Sequence, residues 1–168
     1  MTNVMRASRI EKVVLSAGAV GPELEKAKKL LEIITGKKAQ IIKTGPNRRI
    51  PAFDVKPNME LGTRVTLRGK EAIAVLRRLL GAVDNIVKAR QVESNHFSFG
   101  IKEYIEIPGM EYIRELGIRG FNATVVFKRA GTRVKRKKIK QGHVPRKQDV
   151  SAEEIIELMT REFKTEFR

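Results

Sequence analysis

Two histidines, His96 and His143, are the only imidazoles in the chain, and there is no cysteine. A catalytic imidazole needs a nucleophile within reach and a second group to orient it. His143 instead sits in Gln141-Gly142-His143-Val144-Pro145, inside a run of lysines and arginines. An exposed imidazole there suits a backbone contact better than proton transfer. The absence of cysteine removes disulfides, a thiol nucleophile and the common structural zinc sites. No His-Glu-x-x-His, no paired metal-ligand spacing and no Walker pattern occurs. Carboxylates such as Glu153 and Glu157 recur at helical spacing and read as a solvated face. We therefore expect no catalytic residue, no metal, no cofactor and no small-molecule substrate.

One glycine turn could hold an anion. Gly18-Ala19-Val20-Gly21 lies between a strand-like and a helix-like segment. Free N–H groups and the helix dipole favour negative charge at such a place. The dinucleotide pattern needs three glycines, and two are present. The favoured reading is a strand-to-helix turn with unusual backbone angles; contact with an RNA phosphate comes next.

The strongest chemical signal is charge. The chain of 168 residues carries 35 Lys and Arg against 19 Asp and Glu, a net charge of +16. Self-repulsion on this scale calls for a polyanionic partner. From Lys128 to Lys147 there are ten basic residues and no acidic one. A polyphosphate would neutralise that stretch and release its own condensed counterions. The competing reading is a localisation signal or a disordered tail. It is disfavoured because a helix pattern follows. Arg133, Lys135, Arg136, Lys137, Lys138 and Lys140 are the candidate phosphate contacts of this basic arm.

Aromatic residues are scarce, with two Tyr, seven Phe and no Trp. Base stacking along a single strand is therefore not the expected mode. Arg119-Gly120-Phe121 starts like the aromatic strand of the RNA-recognition motif, but Asn122 and Ala123 do not continue it. Phe121, Val125 and Phe127 read as core. Recognition of structured RNA by shape and backbone fits this composition better. A membrane is not an expected partner. No apolar run approaches the ~18 residues of a span. Met1 to Ala7 lacks the apolar centre of a signal peptide, position 2 is Thr, and the chain ends Glu166-Phe167-Arg168 without a lipidation motif.

The elements that must position these cations follow from periodicity. Arg9 to Ser16 reads as a strand. Pro22 opens a helix on which Leu24, Ala27, Leu31 and Ile34 share one face, and Gly36 stops it. Lys38 to Lys43 is a second strand. Thr44 to Leu61, with Pro46, Pro51 and Pro57, reads as a long loop or the tip of a long hairpin, and loops of this length are usually functional or disordered. Gly62 to Arg68 is a third strand, and Lys70 to Val83 a second helix. Strands are expected over Phe97 to Ile107 and Gly120 to Arg129. Ser151-Ala152-Glu153-Glu154 is a capping box before an apolar face of Ile155, Leu158, Met159 and Phe163. The order β-α-β-β-α-β-β predicts an α+β fold, an antiparallel sheet with helices packed on one face and the other face free. The expected division is an α+β RNA-binding domain over 1–130. A basic arm and a C-terminal amphipathic helix, 131–168, would pack on it.

Five colinear blocks resemble a known family. They are Met5-Arg6 with Arg9-Ile10-Glu11-Lys12-Val13-Val14-Leu15; Thr35-Gly36-Lys37; Leu61-Gly62-x-x-Val65-Thr66-Leu67-Arg68-Gly69; Asn95-x-Phe97-Ser98-Phe99-Gly100-Ile101-x-Glu103; and Gly117-Ile118-x-Gly120-Phe121. Together they cover about residues 5 to 138 and are similar to the universal large-subunit ribosomal protein L-five family. The Arg-Val-Lys-Arg-Lys-Lys arm and the C-terminal helix look like its archaeal and eukaryotic branch. The resemblance implies a cytoplasmic, ribosome-bound, non-enzymatic protein of the central protuberance. Its implied partners are 5S rRNA, large-subunit rRNA, the peptidyl-site tRNA and neighbouring ribosomal proteins, with an intersubunit bridge to the small-subunit head. Matched by position, the 5S-contacting residues fall at Ser16, Lys37, Phe53 and Thr66, with Arg64 and Arg68 beside them. Ser16 and Lys37 stand where bacterial members commonly have Asn and Gln. Ser can still donate or accept a hydrogen bond, and Lys can hold a phosphate. The tRNA-facing loop maps to about Thr44 to Ala52, with Thr44, Gly45, Asn47, Arg48 and Arg49 as candidates. It departs from the family's Lys-Ala-Arg-x-Ser/Thr-Val run and is about two residues longer. A free-standing module that binds structured RNA and regulates messages is the alternative.

Overall fold

The computed structural model describes residues 4–168; Met1 to Asn3, including the Thr at position 2 that argues against lipidation, lie outside the described residues. The fold is α+β, as the element order predicts. Strand β1 (Arg9–Gly18) leads into helix α1 (Pro22–Thr35). Strands β2 (Gln40–Lys43) and β3 (Glu60–Leu67) follow, then helix α2 (Lys70–Gly81). Four further strands come next: β4 (Ile86–Val87), β5 (Val92–Glu93), β6 (His96–Ile101) and β7 (Phe121–Lys128). A single helical turn, α3 (Arg133–Arg136), helix α4 (Ala152–Phe163) and strand β8 (Glu166–Phe167) complete the described chain.

Six strands form one sheet in the order β2-β3-β1-β7-β6-β5, and β4 pairs in parallel with β8. All neighbours in the six-stranded sheet run antiparallel. β1 lies inside the sheet, between β3 and β7. Val13, Leu15 and Ala17 point into the core, and Lys12, Val14 and Ser16 point away. Strand alternation imposes the same split on β3 and β7. There Val65 and Leu67, and Phe121, Ala123, Val125 and Phe127, are buried.

The helices close the buried face. Leu24, Ala27, Leu30, Leu31 and Ile34 of α1 and Ala72, Val75, Leu76, Leu79 and Leu80 of α2 are buried. With Ile155, Leu158, Met159 and Phe163 of α4, most of them join one apolar cluster with the sheet. Phe97 is fully buried within it. Its ring lies 5.9 Å from those of Phe99 and Phe127, and 6.4 Å, edge on, from Phe167. Each such side chain contributes roughly 1.5–3 kcal/mol by leaving water. The capping box forms as expected at its first half. Ser151 Oγ accepts from the Glu154 amide at 3.3 Å, while the Glu154 carboxylate reaches Arg129.

The strand expected over Phe97 to Ile107 stops at Ile101. Tyr104 then turns inward and is fully buried, and its hydroxyl accepts the Ile113 amide at 2.9 Å. Ile107 and Leu116 follow it into the core. The irregular segment must pass close to the sheet on its return. A Cβ at Gly120 would lie 2.6 Å from the carbonyl oxygens of both Ile101 and Lys102, so only glycine fits there. The turn Gly18-Ala19-Val20-Gly21 is a strand-to-helix connection, with Gly21 at φ 65° as the residue before α1. The Leu24 amide is taken by the Gly21 carbonyl at 3.0 Å.

Candidate nucleic-acid interface

The face of the sheet opposite the helices carries the side chains that alternation turns away from the core. Cross-strand register assembles them into rows. One row runs Gln40, Arg64, Ser16, Asn122 and Gly100. The next runs Thr66, Val14, Thr124 and Ser98, with Ser98 Oγ and Thr124 Oγ1 joined at 2.9 Å. A third runs Lys12, Val126 and His96. None of these positions is a carboxylate, and none is a Phe, Tyr or Trp. The surface is a low, polar platform of hydroxyls and amides, edged by cations. It offers short hydrogen-bonding groups to sugars and phosphates and no stack for unpaired bases.

Ser16, Arg64 and Thr66 stand together on this platform, Ser16 directly opposite Arg64. Arg68 follows the end of β3 and is exposed at its margin. Lys37 does not join them. It lies just past α1 and pairs with Glu71 in the first turn of α2. Its ammonium is thus engaged at the junction of two helices. Phe53 is 78% exposed on a turn, Pro51–Phe53, in the connection between β2 and β3. The ring is open to any partner that meets this loop.

That connection is ordered at its base and along its length. Thr44 Oγ1 donates to the Lys56 and Met59 carbonyls at 2.8 and 3.0 Å. Ile50 and Val55 exchange backbone hydrogen bonds, both of 3.1 Å, and the Arg48 amide donates to the Gly45 carbonyl. Gly45, Asn47, Arg48 and Arg49 are all exposed on it. Thr44 therefore braces the loop, while the two arginines project from it.

The basic stretch does not extend as a free arm. It loops out after β7 and returns to its own root. Arg129 donates to both oxygens of Glu154 and, at 3.1 Å, to the Lys147 carbonyl. Gln148 donates to the Ala130 carbonyl at 2.9 Å. Asn95 fastens the segment that follows: its side-chain oxygen accepts the Val150 amide at 2.7 Å. Arg133, Lys135, Arg136, Lys137, Lys138 and Lys140 are all exposed on the loop. Gathering them in one helical turn and its continuation makes a cationic ridge beside the platform.

Between ridge and platform lies a cleft of about 500 Å³. Lys12, Val126 and Lys128 form its sheet side, with Arg68 near them, and Lys135, Arg136, His143 and Arg146 belong to the loop side. A register shift between Ile10 and Lys12 bulges β1 here, and Glu11 is the bulged residue. Its Oε1 accepts from Lys128 at 3.3 Å and forms an ion pair with Arg136 at 3.1 Å. Sequence reading missed Lys12, Ser98, Asn122 and Thr124 as surface residues of the platform. The alternation that marked Phe121, Val125 and Phe127 as core was a sufficient signal for Asn122 and Thr124. Glu11 and Arg146 carried no such signal, because a bulge and a folded-back loop bring them to the cleft.

His96 Nε2 lies 3.7 Å from Glu93 Oε2. His96 Nδ1 lies 3.2 Å from the Ser94 carbonyl, and His143 lines the cleft. Among the described residues no group of three or more His, Cys, Asp or Glu could hold a metal ion, and no helix is long and apolar enough to cross a membrane.

Residues 60–161, more than half of the chain, match the C-terminal part of the ribosomal L5 family. A protein of Nanoarchaeum equitans named large ribosomal subunit protein uL5 is 43% identical over 93% of this chain and 93% of its own length. A protein of the same name from Sulfurisphaera tokodaii is 39% identical, covering 96% of this chain and 92% of its own. Another from Aeropyrum pernix is 38% identical, covering 97% and 86%.

Proposed function

Because the chain belongs to the ribosomal L5 family, we propose that it is a structural, non-enzymatic constituent of the large ribosomal subunit that binds 5S rRNA in the central protuberance. The open sheet platform is the observation that carries this reading. Its polar rows contain no carboxylate, and a cationic ridge borders them. The net charge of +16 supplies the attraction, and the platform supplies the shape. Phosphate contacts of this kind orient a folded RNA without reading its bases.

On this reading Ser16, Arg64 and Thr66 bond the 5S backbone, Arg68 adds charge at the margin, and Phe53 packs on the RNA from the adjoining loop. Lys37 contributes only if it leaves Glu71. Arg48 and Arg49 face the peptidyl-site tRNA, on the loop that Thr44 braces. The ridge reaches large-subunit rRNA, and the protein adjoins other ribosomal proteins, including those of the small-subunit head across an intersubunit bridge. It works in the cytoplasm as part of the ribosome.

A gel shift with the full chain tests the core of the proposal. Binding to 5S rRNA should persist at ~150 mM KCl and exceed binding to poly-U by at least about tenfold, with free tRNA weaker than 5S. Equal affinity for poly-U and 5S rRNA would refute shape recognition and favour a general single-strand binder.

A further inference from the structure

The cleft beside Glu11 is unusual for its charge. Lys12, Arg68, Lys128, Lys135, Arg136 and Arg146 line it, together with Arg129, which is paired with Glu154, against Glu11 and Asp149. It is continuous with the platform, because Lys12 and Val126 belong to both. A carboxylate on the floor of such a site lowers affinity for a polyanion, so its position needs a reason. Glu11 is placed there by a β-bulge and is only 18% exposed, whereas Arg136 is 58% exposed. Lys128 Nζ and Arg136 Nη1 both approach Oε1 of Glu11. A guanidinium has further donors for a second acceptor.

We propose that this cleft is a seat for the RNA backbone continuous with the platform, and that Glu11 holds the place of a phosphate until RNA arrives. The proposal rests on the reading of the platform as an RNA surface. In the RNA-free protein Glu11 pins the ridge and offsets repulsion among its cations. A backbone phosphate entering the cleft takes Arg136 from Glu11. Lys128, closer to the sheet, stays with the carboxylate and keeps it neutralised. The exchange is favourable because the phosphate sheds condensed counterions, which the carboxylate does not.

The sign of one substitution decides the matter. With the full chain and 5S rRNA, affinity is measured across a KCl series for the wild type, Glu11→Gln, Arg136→Ala and the double variant. Glu11→Gln should bind about two- to fivefold tighter, as suits release of a partly exposed ion pair. Its salt dependence should stay close to that of the wild type, because Arg136 meets the same phosphate in both complexes; a slope steeper by about one contact would mean that Arg136 remains on Glu11 in the wild type, and would overturn the exchange. In the Arg136→Ala background the gain should vanish, because the cation that changes partner is gone. A weaker Glu11→Gln complex would mean that Glu11 only anchors the loop, and would overturn the proposal. A gain that survives in the Arg136→Ala background would overturn it too, since it would reflect net charge alone. Arg64→Ala serves as the platform control. If it weakens binding while Glu11→Gln changes nothing, the clasp is wrong and the platform stands. If the wild type ignores 5S rRNA, both fall.

Discussion

Replacing Arg136, Lys137 and Lys138 with Ala removes three exposed cations from the ridge. Their pairing differs in the free protein. Arg136 is paired with Glu11 at 3.1 Å, while Lys137 and Lys138 carry no ion pair among the described residues. Each cation that neutralises a duplex phosphate contributes ~0.9 to the slope of log K against log salt. If all three touch RNA, the slope flattens by ~2.7; if Arg136 stays on Glu11, by ~1.8. Over a fourfold rise in salt, from ~50 to ~200 mM, those slopes correspond to roughly 40-fold and 12-fold less loss of affinity than in the wild type. The fold should survive, because the only ion pair lost among the described residues is partly exposed and worth under ~1 kcal/mol. Fluorescence anisotropy with labelled 5S rRNA, at five or so KCl concentrations, separates the two values. A slope equal to that of the wild type would refute the assignment of the ridge to phosphate contact. So would a loss of affinity that is the same at every salt concentration.

Other consequences are simpler to measure. Phe53→Ala should leave the melting temperature unchanged, since the ring is 78% exposed, and Thr66→Ala should alter it little; both should weaken 5S binding in a gel shift, and intact affinity in either would remove that residue from the interface. Phe97→Ala deletes a fully buried ring with three aromatic neighbours. It should cost about 3–5 kcal/mol and lower Tm by roughly 10 °C in calorimetry; a shift of a degree or two would show that the core can close over the space.

Regular elements were legible because alternation and helical spacing write burial directly into the chain. Val65 and Leu67 against Arg64 and Thr66 define a strand with two faces from residue types alone. The end of β6 was not legible. Tyr104 and Ile107 keep up an apolar pattern past Ile101, yet they are buried from an irregular segment and not from a strand. The two-residue strands β4, β5 and β8 are too short to show any period. The fold of the basic loop was hidden for another reason. Its closure depends on Arg129 meeting Glu154 and Gln148 meeting Ala130, pairings that only tertiary structure creates. The pairing of Lys37 with Glu71 was not legible either, because it joins the end of one helix to the first turn of another.

The register of the central strand has a bearing on timing. β1 takes one neighbour from β3 and the other from β7, and the Glu11–Lys128 contact spans 117 residues of chain. Distant pairings of this sort form late and slowly during folding. Neither the platform nor its bordering cleft exists until β7 has docked, so a nascent or truncated product ending at α2 presents half a landing surface. On the reading of the platform as an RNA surface, such a product should bind 5S rRNA more weakly than the full chain.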